Sequence, residues 1–426
     1  MSSPKDFRIA IIGGGMCGIA CAVSLSLRGI HADVYEAASE FGQVGAGVGL
    51  GLNAIKALDG LGILEPVMEK ADSKKPTLRS FVFVSGYGQH QVIYDYVKHS
   101  GQFGLGVYRP TFLDALLPFL NPDRLHLNKK CTHVEPLGSG AYRLSFEDDT
   151  TLEADLVIGA DGIRSSIRSC ITAKDSSSSL VFSNTVAYRS LIPVDTLLKA
   201  GLKTKVDVMP VCWMGTNKHL ITFPMQGTRM LNVVLFSSDY SKPMRSELKG
   251  AWVETVPKSE ILAQYEDMGN DVKTIVNHVN SAGKWYIHQV NPPLSSYVSG
   301  RVVLVGDSAH GMQPHLGAGV GQGFEDVYVL CRLLSHPGTR LSNLGIVLGI
   351  YDQVRPRRSN MVLEASARAG RIYDGFGKPS QGPEWAASML TGIWEPIWHH
   401  DLKAEVDAAL EKLEDNPAFG FAKSRL

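Results

Sequence analysis

What this chain lacks narrows it first. Its 426 residues hold six cysteines, at 17, 21, 131, 170, 212 and 331. None falls in a C-x-x-C pair and none has zinc spacing, so a disulfide scaffold, a thioredoxin-type motif and a metal site are not expected. Scattered cysteines of this kind fit a reducing compartment. Charge of one sign is missing too, since 42 Lys and Arg balance 42 Asp and Glu. With no basic cluster, nucleic acid is not an expected partner. No apolar run reaches about 18 residues, so no membrane partner is expected. The opening Met-Ser-Ser-Pro-Lys-Asp-Phe leads into a strand rather than a signal peptide. Low complexity is confined to Ser176–Ser179, and no internal repeat is visible.

What is present begins with an ordinary globular composition, 44% hydrophobic and 20% charged, over a length that exceeds one core. Phe7–Ile12 is a short apolar run of buried-strand length. Gly13, Gly15 and Gly18 follow with G-x-G-x-x-G spacing, then an apolar stretch from Ile19 to Arg28 that Gly29 can stop. In such a loop the first glycine makes a tight turn, the second lets a pyrophosphate approach the backbone, and the third lets helix pack on strand. A second strand, His31–Glu36, ends in an acid placed to accept hydrogen bonds from ribose hydroxyls.

Nearly 300 residues later stands a second glycine-rich block, Gly306-Asp307 through Pro314, His315, Gly317, Gly319, Val320, Gly321 and Gly323. Asp307 follows a buried strand, Arg301–Val305, where a carboxylate can bind a ribityl chain. Gly317–Gly321 brings bare backbone N–H groups to a helix start that suits an anion such as the edge of a reduced flavin. Together the two segments describe a chain that grips a flavin dinucleotide, FAD, from both ends without a covalent link. Asp161-Gly162, after another strand, could reach the flavin phosphates through water and also a nicotinamide donor. Arg109, opening a helix at Pro110, could pair with the pyrophosphate.

The expected architecture is α/β. A Rossmann-like FAD-binding domain built from residues 1–75, 105–180 and 290–370 is interleaved with a mostly antiparallel β-sheet substrate domain, residues 76–104 and 181–289. The remainder, 371–426, reads as a C-terminal loop and helix, with a packed loop over residues 375–398 after a helix that ends near 374, and a closing helix over Asp401–Leu413. Elsewhere a helix is expected over Asn53–Lys70, and strands over Leu152–Ile158, Thr185–Ile192, Lys205–Met209, His219–Phe223 and Met230–Phe236. The last three residues, Ser424-Arg425-Leu426, are a conservative variant of the peroxisomal address S-K-L, so import into peroxisomes is expected, with the cytoplasm otherwise.

Several segments carry a resemblance. Phe41–Val48, Tyr108–Leu116, Gly159–Ser165, Ala187-Tyr-Arg189, His219–Pro224, Tyr351–Arg358, Trp398–Leu402 and above all Gly306–Gly323 resemble the class A flavoprotein aromatic hydroxylases, salicylate hydroxylase most closely. The resemblance implies that NADH or NADPH reduces FAD, that O2 forms a C4a-hydroperoxyflavin, and that its distal oxygen attacks a phenolic aromatic acid. With a salicylate-like substrate, attack at the carboxyl-bearing carbon would release carbon dioxide and leave a catechol.

Carried over, Glu36 would bind the adenosine ribose, and Arg109 and Asp307 the pyrophosphate and ribityl regions. The amides of Gly319 and Val320 would face the flavin's pyrimidine edge, and Pro314 would line the side where oxygen is activated. His315 would help deprotonate the phenol, and Arg189 would hold a carboxylate or phenolate. Tyr108, where salicylate enzymes often carry His, would contact the ring. Open alternatives are hydroxylation or dearomatisation of a larger polyketide phenol, another flavoenzyme such as a halogenase or dehydrogenase, and a non-catalytic nucleotide-binding regulator. The chain is expected to act as a monomer or homodimer.

Overall fold

The computed structural model describes residues 5–42, 47–70, 78–79, 81–96, 103–172, 179–225, 229–246, 248, 250–279 and 282–422. Ser424-Arg425-Leu426 lies outside them, as do residues 43–46 of the Phe41–Val48 segment.

A six-stranded sheet takes its strands in the order Val298–Ser299, Val302–Leu304, Leu156–Gly159, Ile9–Ile12, Asp33–Tyr35, Leu125–His126. All neighbours run parallel except the first pair. The central strands are buried throughout, as a sheet covered on both faces requires. Helix Met16–Leu27 follows the first strand, and helix Gly319–Leu334 packs against it. The expected single strand Leu152–Ile158 divides at Asp155. That carboxylate accepts from the Arg8 backbone at 2.8 Å and from its guanidinium at 3.1 Å, which pins the point where an antiparallel meander becomes a strand of the parallel sheet. The helix expected over Asn53–Lys70 is likewise two, Leu52–Leu61 and Leu64–Lys70, parted by Gly62 at φ 82°.

The second body is a nine-stranded, almost wholly antiparallel sheet. Its strands run in the order Val253–Val256, Ala282–Val290, Leu180–Pro193, Met230–Ser238, Lys218–Met225, Val211–Gly215, Val82–Ser85, Val92–Asp95, with Arg245–Ser246 beside Leu180–Pro193. Lys205–Met209 forms turns instead of the expected strand. The Asp271 carboxylate takes up the N–H groups of Lys203 and Thr204, at 3.2 and 2.8 Å, so they need no strand neighbour.

The two faces of this sheet bury different partners. Val211, Trp213, Leu220, Val233 and Leu235 face helices Lys258–Tyr265 and Asn270–Asn277. Cys212, Met214, Ile221, Phe223, Val234 and Phe236 face the long helix Leu344–Tyr373 and the segment after it. That segment holds two short helices, Pro383–Leu390 and Glu395–Trp398, where a packed loop was expected. Trp394 anchors it among Phe83 and Tyr96. Each fully buried side chain of this size contributes about 1.5–3 kcal/mol. Among the described residues no helix is long and apolar enough to cross a membrane, and no cluster of His, Cys, Asp and Glu could hold a metal ion.

Candidate functional site

The glycine loop after the first strand is shaped by close approach. Gly13 sits at φ 106°, and a Cβ there would fall 2.3 Å from the carbonyl oxygen of Ala160; one on Gly18 would fall 1.9 Å from that of Gly13. Glu36, at the end of the second strand, accepts from the N–H of Gly14 at 2.6 Å and of Ala38 at 2.8 Å. Gly15 is different: a Cβ there would meet only the Arg109 guanidinium, at 3.7 Å. Bare backbone thus lies open beside a fixed positive charge. Helix Met16–Leu27 begins there with no side-chain cap.

The second glycine block converges on the same place. Asp307 stands exposed at the start of the short helix Asp307–His310. A Cβ on Gly319 would come within 3.8 Å of the Asp307 carboxylate. Helix Gly319–Leu334 also starts without a side-chain cap, leaving the amides of Gly319 and Val320 for another acceptor. Arg168, fully buried, donates to the carbonyls of Ile163, Asp307 and Ser308 and so clamps the Asp161–Ile163 turn to the Asp307 turn. Asp161 caps that turn through the N–H groups of Ser166 and Ile167, while its second oxygen is buried without a partner. Two uncapped helix starts, a guanidinium, an exposed acid and an orphaned carboxylate oxygen fit a dinucleotide such as FAD.

Across from this cradle lies the face of the large sheet that carries Ala187, His219 and Phe236 in one row, through the registers Ala187↔Phe236 and His219↔Phe236. His315 reaches that layer from the glycine block, its ring centroid 5.2 Å from His219 and 5.1 Å from Phe236. Both imidazoles are buried, at 0% and 3% exposure, and each keeps one nitrogen without a partner, Nε2 of His219 and Nδ1 of His315. Burial, reinforced by His219, lowers the His315 pKa to about 3. Arg189 is on the same face, two residues along from Ala187. Its guanidinium lies over the Trp285 ring, 5.1 Å from the centroid, with a buried Nε that has no partner and no carboxylate in salt-bridge range among the described residues. With strands about 4.8 Å apart and a rise of about 3.3 Å per residue, Arg189 starts about 12 Å from His219. That is the reach of one arginine side chain plus one substituted benzene ring.

Tyr108 ends the strand Phe103–Tyr108 and packs against this apolar layer, while the next residue, Arg109, reaches the glycine loop. Pro314 directly precedes His315, and its carbonyl accepts from the N–H of Gly317 at 3.0 Å. The structure therefore places Arg189, His315 and Tyr108 on the sheet layer, with Pro314 next to His315 in the chain, and Gly13, Gly15, Gly18, Glu36, Arg109, Asp161, Asp307, Gly319 and Val320 around the two glycine-rich turns. Sequence reasoning did not single out His219, Gln313, Tyr240 or Asp374. His219 carried a signal, a lone imidazole in an apolar strand; Asp374, just past a helix end, carried none.

Comparison with known proteins follows the same lines. The FAD binding domain family matches residues 139–344. A salicylate hydroxylase of Pseudomonas putida is 34% identical over 412 residues, covering 94% of each chain. A 6-methylsalicylate 1-monooxygenase of Aspergillus terreus is 32% identical, covering 97% of this chain and 94% of its own. A solved salicylate hydroxylase substrate complex superposes with a TM-score of 0.83 at 30% identity, over 95% of this chain and 98% of that one.

Proposed function

The chain belongs to the FAD-dependent aromatic hydroxylases of the salicylate hydroxylase type, and we propose that within that family it acts on a phenol bearing an ortho carboxylate, with NADH as reductant. The observation that carries this is Arg189. A guanidinium half-buried against Trp285, with no carboxylate in salt-bridge range among the described residues, can take an anion, and its rigid fork suits a carboxylate. The unpartnered nitrogens of His219 and His315 supply acceptors for a phenolic O–H on the same layer.

FAD, when bound, supplies the reduction of O2 and the transfer of one oxygen atom. Glu36, Arg109, Asp307 and the amides of Gly319 and Val320 are the residues proposed to hold it. Arg189 fixes the ring by its carboxylate, Tyr108 and Pro314 bound the ring where it meets the cofactor, and the buried aromatic layer keeps water out. With salicylate, one oxygen atom would enter the ring at the carboxyl-bearing carbon and the other would leave as water. Two electrons would come from NADH and the carboxylate would depart as carbon dioxide, giving catechol. NADH is proposed over NADPH because the sequence singles out no arginine for a 2′-phosphate.

The test is a panel of phenols, salicylate and 6-methylsalicylate among them, with NADH and NADPH compared and product masses measured. Catechol-type products with loss of carbon dioxide support the proposal. A product that keeps the carboxyl group and gains only oxygen rejects decarboxylation and points to ring hydroxylation or dearomatisation.

A further inference from the structure

The two buried histidines of the substrate layer are not equivalent. The Nδ1 of His219 lies 2.6 Å from Oδ1 of Asp374, and both side chains are fully buried. The other Asp374 oxygen accepts from the Tyr240 hydroxyl at 2.7 Å. The backbone at Asp374 is held as well. Its N–H donates to Gly370 at 2.9 Å, and its carbonyl accepts from Asn217 at 2.8 Å, where the helix Leu344–Tyr373 ends against the hairpin that leads into His219. A carboxylate placed this way orients the imidazole with hydrogen on Nδ1, leaves the lone pair on Nε2, and stabilises the ring once Nε2 is protonated.

His315 has an amide where His219 has a carboxylate. Its Nε2 is 3.1 Å from Oε1 of Gln313, and Nε2 of Gln313 donates to Gln289 at 2.8 Å, which fixes the way the amide faces. His315 therefore carries its hydrogen on Nε2, and among the described residues no carboxylate hydrogen-bonds the ring to stabilise a positive charge.

We propose that Asp374, itself held by Tyr240, is a positioning residue that makes His219 the proton acceptor of the hydroxylation site, while His315 stays neutral beside it. The step is a single proton transfer. The phenolic O–H bond breaks, an N–H bond forms at Nε2 of His219, and the electron pair stays on the phenolate oxygen, where it enriches the ring for attack by an electrophilic oxygen. Asp374 remains a carboxylate throughout, and the proton returns to solvent when product leaves. The assignment rests on the reading of the site given under Proposed function.

The experiment uses the FAD-loaded enzyme with NADH and two probes, salicylate and a fluorinated salicylate whose phenol ionises more readily. Asp374→Asn is expected to keep its flavin and to lose about 10²- to 10⁴-fold in kcat with salicylate, the range of a lost general base, while KM changes by less than about threefold. The deficit should shrink at least about tenfold with the fluorinated probe, which needs less help to ionise. A residue that only supported the fold would impair both probes alike. Asp374→Glu should recover part of the rate. Loss of kcat by less than about threefold in Asp374→Asn, or equal deficits for the two phenols, overturns the proposal.

If Asp374→Asn fails to fold, the comparison of His219→Gln with His315→Gln decides. The larger loss of kcat must fall on His219, and the reverse order overturns the assignment. A wild-type enzyme inert toward every phenol of the panel would instead remove the substrate reading on which the assignment rests. An active wild type with an unaffected Asp374→Asn removes only the role given to Asp374.

Discussion

Arg189 is the residue whose replacement separates substrate binding from cofactor binding. It lies on the sheet, away from Gly13, Glu36 and Arg109, so Arg189→Ala should purify with its full complement of flavin. One charge-assisted contact with the substrate carboxylate is worth about 1.5–3 kcal/mol, so kcat/KM should fall about ten- to a hundredfold. Substrate-stimulated NADH oxidation should also divert to hydrogen peroxide, since a loosely held ring no longer captures the oxygen. A variant that stays coupled at full efficiency would show that Arg189 does not touch the substrate. His315 has a separate signature in stability. Its pKa is lowered from the ordinary 6.5 to about 3 by burial and by His219. Between those values the unfolded chain binds a proton that the folded chain refuses. This stability is therefore complete above about pH 6.5 and is lost as pH falls toward 3, at up to about 1.4 kcal/mol per unit. His315→Gln, which cannot titrate, should flatten the fall in unfolding free energy between pH 6.5 and 4.5 by about 2 kcal/mol. Urea denaturation of both proteins at the two pH values reads it, and parallel profiles would count against the burial of a neutral ring.

At the scale of elements, helix Gly319–Leu334 is joined to helix Leu344–Tyr373 by charge rather than by apolar packing alone. Arg355 meets Asp326 at 2.7 Å and Glu325 at 3.1 Å, and Arg358 meets Glu325 at 3.2 Å, all buried. Asp326 also contacts His310 at 2.6 Å and accepts from the N–H of Gly306 at 2.8 Å. The pair of helices thus holds the turn that presents Asp307. Removing one partner leaves the others as uncompensated buried charge, so Arg355→Met should cost about 3–5 kcal/mol in denaturant unfolding. It should also lower flavin content, because the Gly306 turn loses its anchor. The first helix makes a sterner demand. A Cβ at Gly18 would lie 1.9 Å from the Gly13 carbonyl, so Gly18→Ala must push helix Met16–Leu27 off its loop. It is expected to yield apoprotein, and a normal flavin spectrum from that variant would contradict the packing described.

Over the whole molecule, the proposed cofactor contacts come from residues as far apart as Gly13 and Val320, so FAD should act as a further cross-link between segments already joined by strand pairing and by the Arg168 clamp. Holoenzyme with FAD at about 100 times its dissociation constant should gain about 2.7 kcal/mol over apoprotein, read as a higher Tm that falls as flavin is stripped. Glu36→Ala should weaken this gain, and an unchanged thermal response to added FAD would argue against that carboxylate as a ligand.

The parts legible in the sequence were those whose chemistry is local. The glycine loop at 13–18 with its strand, helix and acid, the block from Gly306 to Gly323, and the alternation of the large sheet all follow from backbone sterics and periodicity over a few residues, and they sufficed for the fold and for FAD. Lys205–Met209 misled for a physical reason: its alternation suits a strand, but Asp271, distant in sequence, satisfies the backbone groups just before it. Gly62 and Asp155 divided elements whose apolar pattern ran on unbroken, because the pattern records burial and not the direction of the chain. Only the tertiary structure set Asp374 behind His219, placed Arg189 over Trp285 with no carboxylate in salt-bridge range among the described residues, and distinguished the environments of the two buried imidazoles. Asp374 and His219 stand 155 positions apart, and Gln289, which orients the Gln313 amide beside His315, stands 24 positions from it; across such separations sequence spacing carries no information, and the packing of the long helix and the glycine block against the sheet determines which groups meet.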